Sequence, residues 1–127
     1  VDSYSPAEVT ARTGFSIDTL RYYERIGLLH EVGRTAGGRR RFTEQDLGFL
    51  RLLRCLRDTE MPIAEMLRFV GLLREGDSTR AERLAVLREH EERVEDQIGR
   101  LRGHQEHIRM KIAFYRGAVE NEDLASV

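Results

Sequence analysis

A length of 127 residues, against roughly 100–200 residues per domain, leaves room for one compact domain or a small domain plus one long element; two enzyme-sized domains are excluded. The chain is 40% hydrophobic, enough for a core, and its 34% of charged residues exceeds the roughly 25% of an ordinary globular protein and points to a helical, surface-rich architecture. Net charge is −1, so any electrostatic bias lies in where charges sit.

Ser5, Pro6 and Glu8 form a capping box with proline at the first helical position, which predicts a short helix from residue 6 that stops at Gly14. Ser16 is placed to cap a second short helix over residues 17–25, with Gly27 as its stop. Residues 32–42 hold two adjacent glycines and the arginines Arg34, Arg39, Arg40 and Arg41; this suits a solvent-facing loop or two-strand ribbon, a basic wing. Thr43 with Asp46 predicts the cap of a third helix reaching about residue 58, with apolar positions Leu47, Phe49, Leu50, Leu52, Leu53 and Leu56. Pro62 opens a fourth helix to about residue 73, a polar connection follows over 74–79, and Thr79 with Glu82 reads as the capping box of a last segment.

In that last segment Leu84, Leu87, Val94, Ile98, Leu101, Ile108, Ile112, Tyr115 and Val119 recur at alternating spacings of three and four, a heptad seam with Glu91 and Gln105 as its polar members. A helix from about residue 80 to residue 118 would be roughly 58 Å long, against a diameter of about 36 Å for a compact globule of this size. It is therefore expected to protrude and to cover its apolar stripe with a second copy of the chain, as a homodimeric coiled coil. Folding back onto the short helices is the alternative. The expected division is a first domain over residues 1–73, the connection 74–79, a dimerisation helix 80–119 and a tail 120–127.

Helix, turn and helix followed by a basic wing is an arrangement in which the second helix reads base edges in a major groove while cations and hydroxyls hold phosphates. The candidate DNA-binding residues are Ser16, Asp18, Thr19, Arg21, Tyr22 and Arg25 on that helix, with Arg34, Gly38, Arg39, Arg40 and Arg41 in the wing. Asp18 is an acceptor, suited to a cytosine amino group. An ordinary charged surface helix and a solvated loop are the structural alternatives.

The stretches FSIDTLRYYERIGLL and GRTAGGRRRFTEQDLGFL, with the long terminal helix, resemble the MerR family of bacterial transcription regulators across nearly the whole chain. The most specific part is TLRYYERIGLL, residues 19–29, followed by Arg34, Gly38, Arg40, Phe42, Asp46 and Leu47. The resemblance implies a mostly α fold, with a winged helix-turn-helix DNA-binding domain and a long C-terminal antiparallel coiled-coil dimerisation helix. It also implies a dimer that distorts double-stranded promoter DNA and so acts on RNA polymerase indirectly. Thr19, Arg21 and Tyr22 would contact DNA, and Arg34, Gly38 and Arg40 would build or use the wing. Two positions depart from the family pattern: Arg39 stands where a tyrosine is usual, and Glu60 where a glycine commonly ends the third helix.

The one cysteine, Cys55, excludes an intrachain disulfide and a Cys-pair zinc module. Metal-sensing relatives use clustered cysteines near the end of the coiled coil, and none follows Cys55. No metal or cofactor is expected; His104 and His107, off the seam, read as solvated surface. LRCLRDTEMPI around Cys55 resembles a branch that answers aldehydes or other electrophiles through one thiol, so Cys55 is a candidate sensor beside the reading of an inert cysteine. With eight residues after the last seam position, no appended ligand domain is expected. The lack of an apolar leader points to the cytoplasm, and the longest apolar runs, such as residues 69–73, fall far short of the roughly 20 residues of a membrane span. The expected function is a sequence-specific DNA-binding transcription regulator without catalytic activity. A coiled-coil protein-interaction adaptor is the alternative. No nucleophile–base pair or phosphate loop supports an enzyme.

Overall fold

The computed structural model describes residues 3–30 and 32–125. Its elements are β1 (Ser3–Tyr4), α1 (Pro6–Thr13), α2 (Ile17–Arg25), β2 (Phe42–Thr43), α3 (Glu44–Asp58), α4 (Ile63–Glu75), a 3₁₀ turn (Asp77–Thr79) and α5 (Arg80–Ala125). They form two compact units, Val1–Val86 and Leu87–Val127.

Local capping chemistry sets most of the boundaries in the first unit. Ser5 Oγ accepts the Glu8 N–H at 3.3 Å while Glu8 Oε1 accepts the Ser5 N–H at 3.1 Å, the reciprocal box predicted for α1. Hydrogen bonding to the carboxylate from the Ser5 N–H, and next from the Ser5 side chain, is the main reason the Glu8 carboxyl titrates below its ordinary value. Ser16 Oγ accepts the Thr19 N–H at 3.1 Å and starts α2. Thr43 and Asp46 make a second reciprocal box at α3.

Helices α2 and α3 end alike. At α2, Leu28 N–H bonds to Tyr23 O and Gly27 N–H to Glu24 O; at α3, Met61 N–H bonds to Leu56 O and Glu60 N–H to Arg57 O. Both are Schellman closures, and the residue after the cap must be left-handed. Gly27 adopts φ 84° without cost, whereas Glu60 is held at φ 68°, the one non-glycine with positive φ among the described residues. Glu60→Gly is expected to remove about 1–2 kcal/mol of strain, less about 0.4–1 kcal/mol for a freer unfolded chain, and so to raise stability by about 1 kcal/mol in a urea titration.

The core of the first unit is built from Val9, Phe15, Leu20, Tyr23, Leu28, Leu29, Val32, Phe42, Leu47, Leu50, Leu53, Leu56, Met66, Phe69, Val70 and Val86, all buried. Phe15 meets Tyr23 edge-on at 5.4 Å. Arg54 of α3 donates to the Thr13 carbonyl at 3.0 Å, neutralising the C-terminal end of α1, and its Nε pairs with Asp58 at 2.7 Å. That hydrogen bond is the chief reason the Asp58 carboxyl titrates below its ordinary value. A carboxylate depressed in the folded state adds stability above its unfolded pKa and loses it as pH falls through the folded pKa. The wild type is therefore expected to lose more of its urea midpoint between pH 5 and pH 3 than Asp58→Asn does.

The structure corrects several expectations. The buried face of α3 is Leu47, Leu50, Leu53 and Leu56, at spacings of three along one side of the helix, while Phe49 and Leu52 off that side are half-buried. Thr79 is not an N-cap: it sits buried in the 3₁₀ turn, its hydroxyl 2.6 Å from Leu72 O and 2.8 Å from Gly76 O, accepting Arg83 Nε–H at 3.1 Å. That hydroxyl satisfies the carbonyl end of α4 instead of the first N–H groups of α5. Helix α4 extends to Glu75, and α5 passes through the expected tail to Ala125, residues 120–125 offering no breaker. Residues 126–127 of that tail lie outside the described residues. The antiparallel pairing of β1 with β2, Ser3 opposite Thr43 and Tyr4 opposite Phe42, had no counterpart in the sequence reading.

In the second unit the seam side chains Ile98, Leu101, Ile108, Ile112, Tyr115 and Val119 are exposed, and Val94 and Leu87 half-buried. Leu84, one turn earlier on the same stripe, is exposed as well, whereas Val86 faces the core of the first unit. Of the two aromatics near the helix end, Phe114 stands edge-on to Tyr115 at 5.2 Å.

Candidate nucleic-acid interface

Helices α1 and α2 are joined by the three residues Gly14, Phe15 and Ser16, and only the apolar one is buried. Phe15 anchors the turn, and the helical repeat then divides α2 into two faces. Leu20 and Tyr23 point into the core; Asp18, Arg21, Tyr22 and Arg25 are exposed, with Thr19 half-buried. Ser16 caps the helix and also donates its hydroxyl to Thr19 Oγ1 at 2.9 Å, so both predicted hydroxyls are engaged at the helix start. Arg25 lies over the Tyr22 ring, 5.5 Å from its centre.

Between Val32 and Phe42, both buried, the chain makes the predicted two-strand ribbon. Arg34 pairs with Arg40 in an antiparallel bridge, Arg41 N–H bonds to Gly33 O at 2.8 Å, and Thr35 N–H bonds to Arg39 O at 2.8 Å. The turn closes with Gly38 N–H on Thr35 O at 2.9 Å, and Gly38 supplies the left-handed residue at φ 81°.

The four wing arginines have different surroundings. Arg34 folds back onto the Gly38 carbonyl at 2.9 Å. Arg40 forms an ion pair with Glu24 of α2, Nε to Oε2 at 3.1 Å. Arg41 donates to Ser3 Oγ and Ser3 O at 3.0 and 2.8 Å, tying the wing base to β1. Arg39 is exposed at the turn. Arg21, Arg25 and Arg40 surround Glu24 in an open recess of about 350 Å³. Three guanidinium groups to one carboxylate make that recess net cationic and able to accept a phosphate. Sequence reasoning missed Glu24, Ser3 and the pairing of Arg40 and Arg41, since these partners lie far apart along the chain.

Cys55 is exposed on α3, off the buried leucine face. Its carbonyl accepts from the Thr59 hydroxyl at 2.7 Å and from the Thr59 N–H at 3.1 Å. Among the described residues, no helix is long and apolar enough to cross a membrane.

Helix, short turn, exposed second helix and arginine-bearing ribbon are together a winged helix-turn-helix. The chain belongs to the MerR family: residues 4–70 match the MerR HTH family regulatory protein. It is 43% identical over 84 residues to an uncharacterized HTH-type transcriptional regulator of Haemophilus influenzae, covering 66% of this chain and 62% of that one. It is 36% identical over 73 residues to the HTH-type transcriptional regulator AdhR of Bacillus subtilis, covering 58% and 52%. The chain thus spans between half and two thirds of the length of these curated relatives. Among solved structures it is similar to HiNmlR, a MerR family regulator lacking the sensor domain, bound to promoter DNA. There the TM-score is 0.83 and the identity 38%, over 92% of this chain and 93% of that one. A MerR family transcriptional regulator from Bacillus thuringiensis superposes with TM-score 0.79 at 32% identity, over 88% and 98%. The mostly helical fold, the wing with its small sheet and the long C-terminal helix are those of this family.

Proposed function

We propose that the chain is a sequence-specific DNA-binding transcription regulator that acts as a homodimer, distorts promoter DNA and reaches RNA polymerase through that DNA. The observation that carries this reading is the exposure of Arg21 and Arg25 on one face of α2, together with that of Arg39 at the wing turn, cations available to a phosphate backbone. Similarity to a protein crystallised on promoter DNA supports it. Asp18, Thr19 and Tyr22 read base edges or neighbouring sugar; Ser16 sets the helix start; Arg34, Gly38, Arg40 and Arg41 hold the wing in shape. DNA binding falls to the elements through α4, the connection to the 3₁₀ turn and dimerisation to α5.

The dimer reading rests on the exposed seam of α5, which water disfavours and an antiparallel second copy would cover. Such a dimer holds two reading heads, and distorting a duplex costs about 1–6 kcal/mol, within reach of contacts made at both half-sites. The cytoplasm is the compartment where such a protein meets promoters. Selection from a random duplex pool tests the function: recovery of a dyad-symmetric sequence supports it, and recovery of no sequence above background favours a coiled-coil adaptor.

The exposed Cys55 thiol is proposed as the point where an electrophile acts. An aldehyde is expected to change the protein's affinity for the recovered duplex in the wild type and to leave Cys55→Ser unchanged. An equal response in both proteins removes Cys55 from the account.

A further inference from the structure

We infer that Glu24 is a positioning residue for DNA reading: it locks the wing to α2 through Arg40 and cancels that arginine's charge, so that helix and wing meet the duplex as one body. This rests on the DNA-binding reading above.

Residues 33–39 are exposed throughout, so no apolar packing fixes the wing between its buried ends, Val32 and Phe42. Arg40, half-buried in the ribbon, reaches α2 instead. Its side chain is 22% exposed and that of Glu24 16%, and the two meet at 3.1 Å, with Arg40 Nε withdrawn from solvent. An ion pair this shielded is screened less by salt than a surface pair. On electrostatic grounds alone a carboxylate beside Arg21 and Arg25 opposes phosphate binding. Its presence makes physical sense if the charge it cancels would otherwise add sequence-independent attraction, and if the geometry it enforces aligns the two reading elements.

The test compares wild type, Glu24→Ala, Arg40→Ala and the double variant on two probes: a duplex recovered by the wild type from a random pool, and poly(dI-dC). Glu24→Ala frees Arg40 for a phosphate, so the slope of log affinity against log salt on poly(dI-dC) should steepen by about 0.9 per protomer. The ratio of specific to non-specific affinity should fall about tenfold, and should no longer respond to Glu24→Ala once Arg40 is alanine. A ratio that stays at the wild-type value in Glu24→Ala, or falls equally with and without Arg40, overturns the inference. Melting midpoints run alongside: a purely structural role would move them and leave the ratio in place. If Glu24→Ala does not fold, Glu24→Gln removes the charge while keeping an acceptor and is read by the same slope and ratio. Wild type lacking salt-dependent binding to either probe overturns the DNA-binding reading itself; wild-type binding with an unresponsive Glu24 overturns the positioning role alone.

Discussion

Replacing Arg21 and Arg25 together by alanine is expected to weaken binding to duplex DNA by about a hundredfold or more, since each charged hydrogen bond to phosphate is worth about 1.5–3 kcal/mol. The salt dependence should flatten by about 1.8 per protomer, because two fewer counterions are displaced. Both residues are exposed on the outward face of α2, so the loss should appear in binding with little change in the melting midpoint. Arg41→Ala should behave in the opposite way. Its guanidinium is spent on Ser3 at 2.8 and 3.0 Å, so stability falls and the salt slope holds. Fluorescence anisotropy at several salt concentrations, with a thermal melt of each variant, separates the two outcomes.

Placing glutamate at Ile108 and Ile112 is expected to convert a dimer into a monomer at micromolar concentration. The two isoleucines are 58% and 51% exposed within one chain and lie one helical turn apart on the seam. Burying each in a coiled coil contributes about 1.5–3 kcal/mol, twice over in a symmetric dimer, and a buried carboxylate adds a further cost of several kcal/mol. Sedimentation equilibrium reads the change. Binding to a dyad-symmetric duplex should fall with it, since a monomer engages one half-site and forfeits the effective concentration of the second. Arg109→Gln, one residue off the seam, should remain dimeric and serves as the control.

The starts and stops of the helices were largely legible in the sequence because their causes are local. Ser5 and Glu8, Ser16, Thr43 and Asp46, and Gly27 each act within about one helical turn of themselves. The left-handed Glu60 was flagged only through the family resemblance, as a residue standing where relatives commonly carry glycine. Thr79 shows the limit of such local rules: the same spacing that caps α1 and α3 is overridden where its hydroxyl reaches the Leu72 carbonyl, seven residues back. Contacts across long sequence separations carry no periodic signal. Arg41 to Ser3 spans 38 residues and Arg54 to Thr13 spans 41, and both were invisible beforehand. The wing arginines read as one basic patch from composition, yet the fold assigns three of them internal partners and leaves Arg39 open. The seam of α5 was legible because its cause is a simple repeat.

The most direct measurement is the affinity of the wild-type chain for its recovered duplex at 50 and 200 mM salt. In the proposed dimer, Arg21, Arg25 and Arg39 of each protomer would make six phosphate contacts, which predicts a loss of about a thousandfold over that range. Affinity that stays constant between the two salt concentrations would contradict the account.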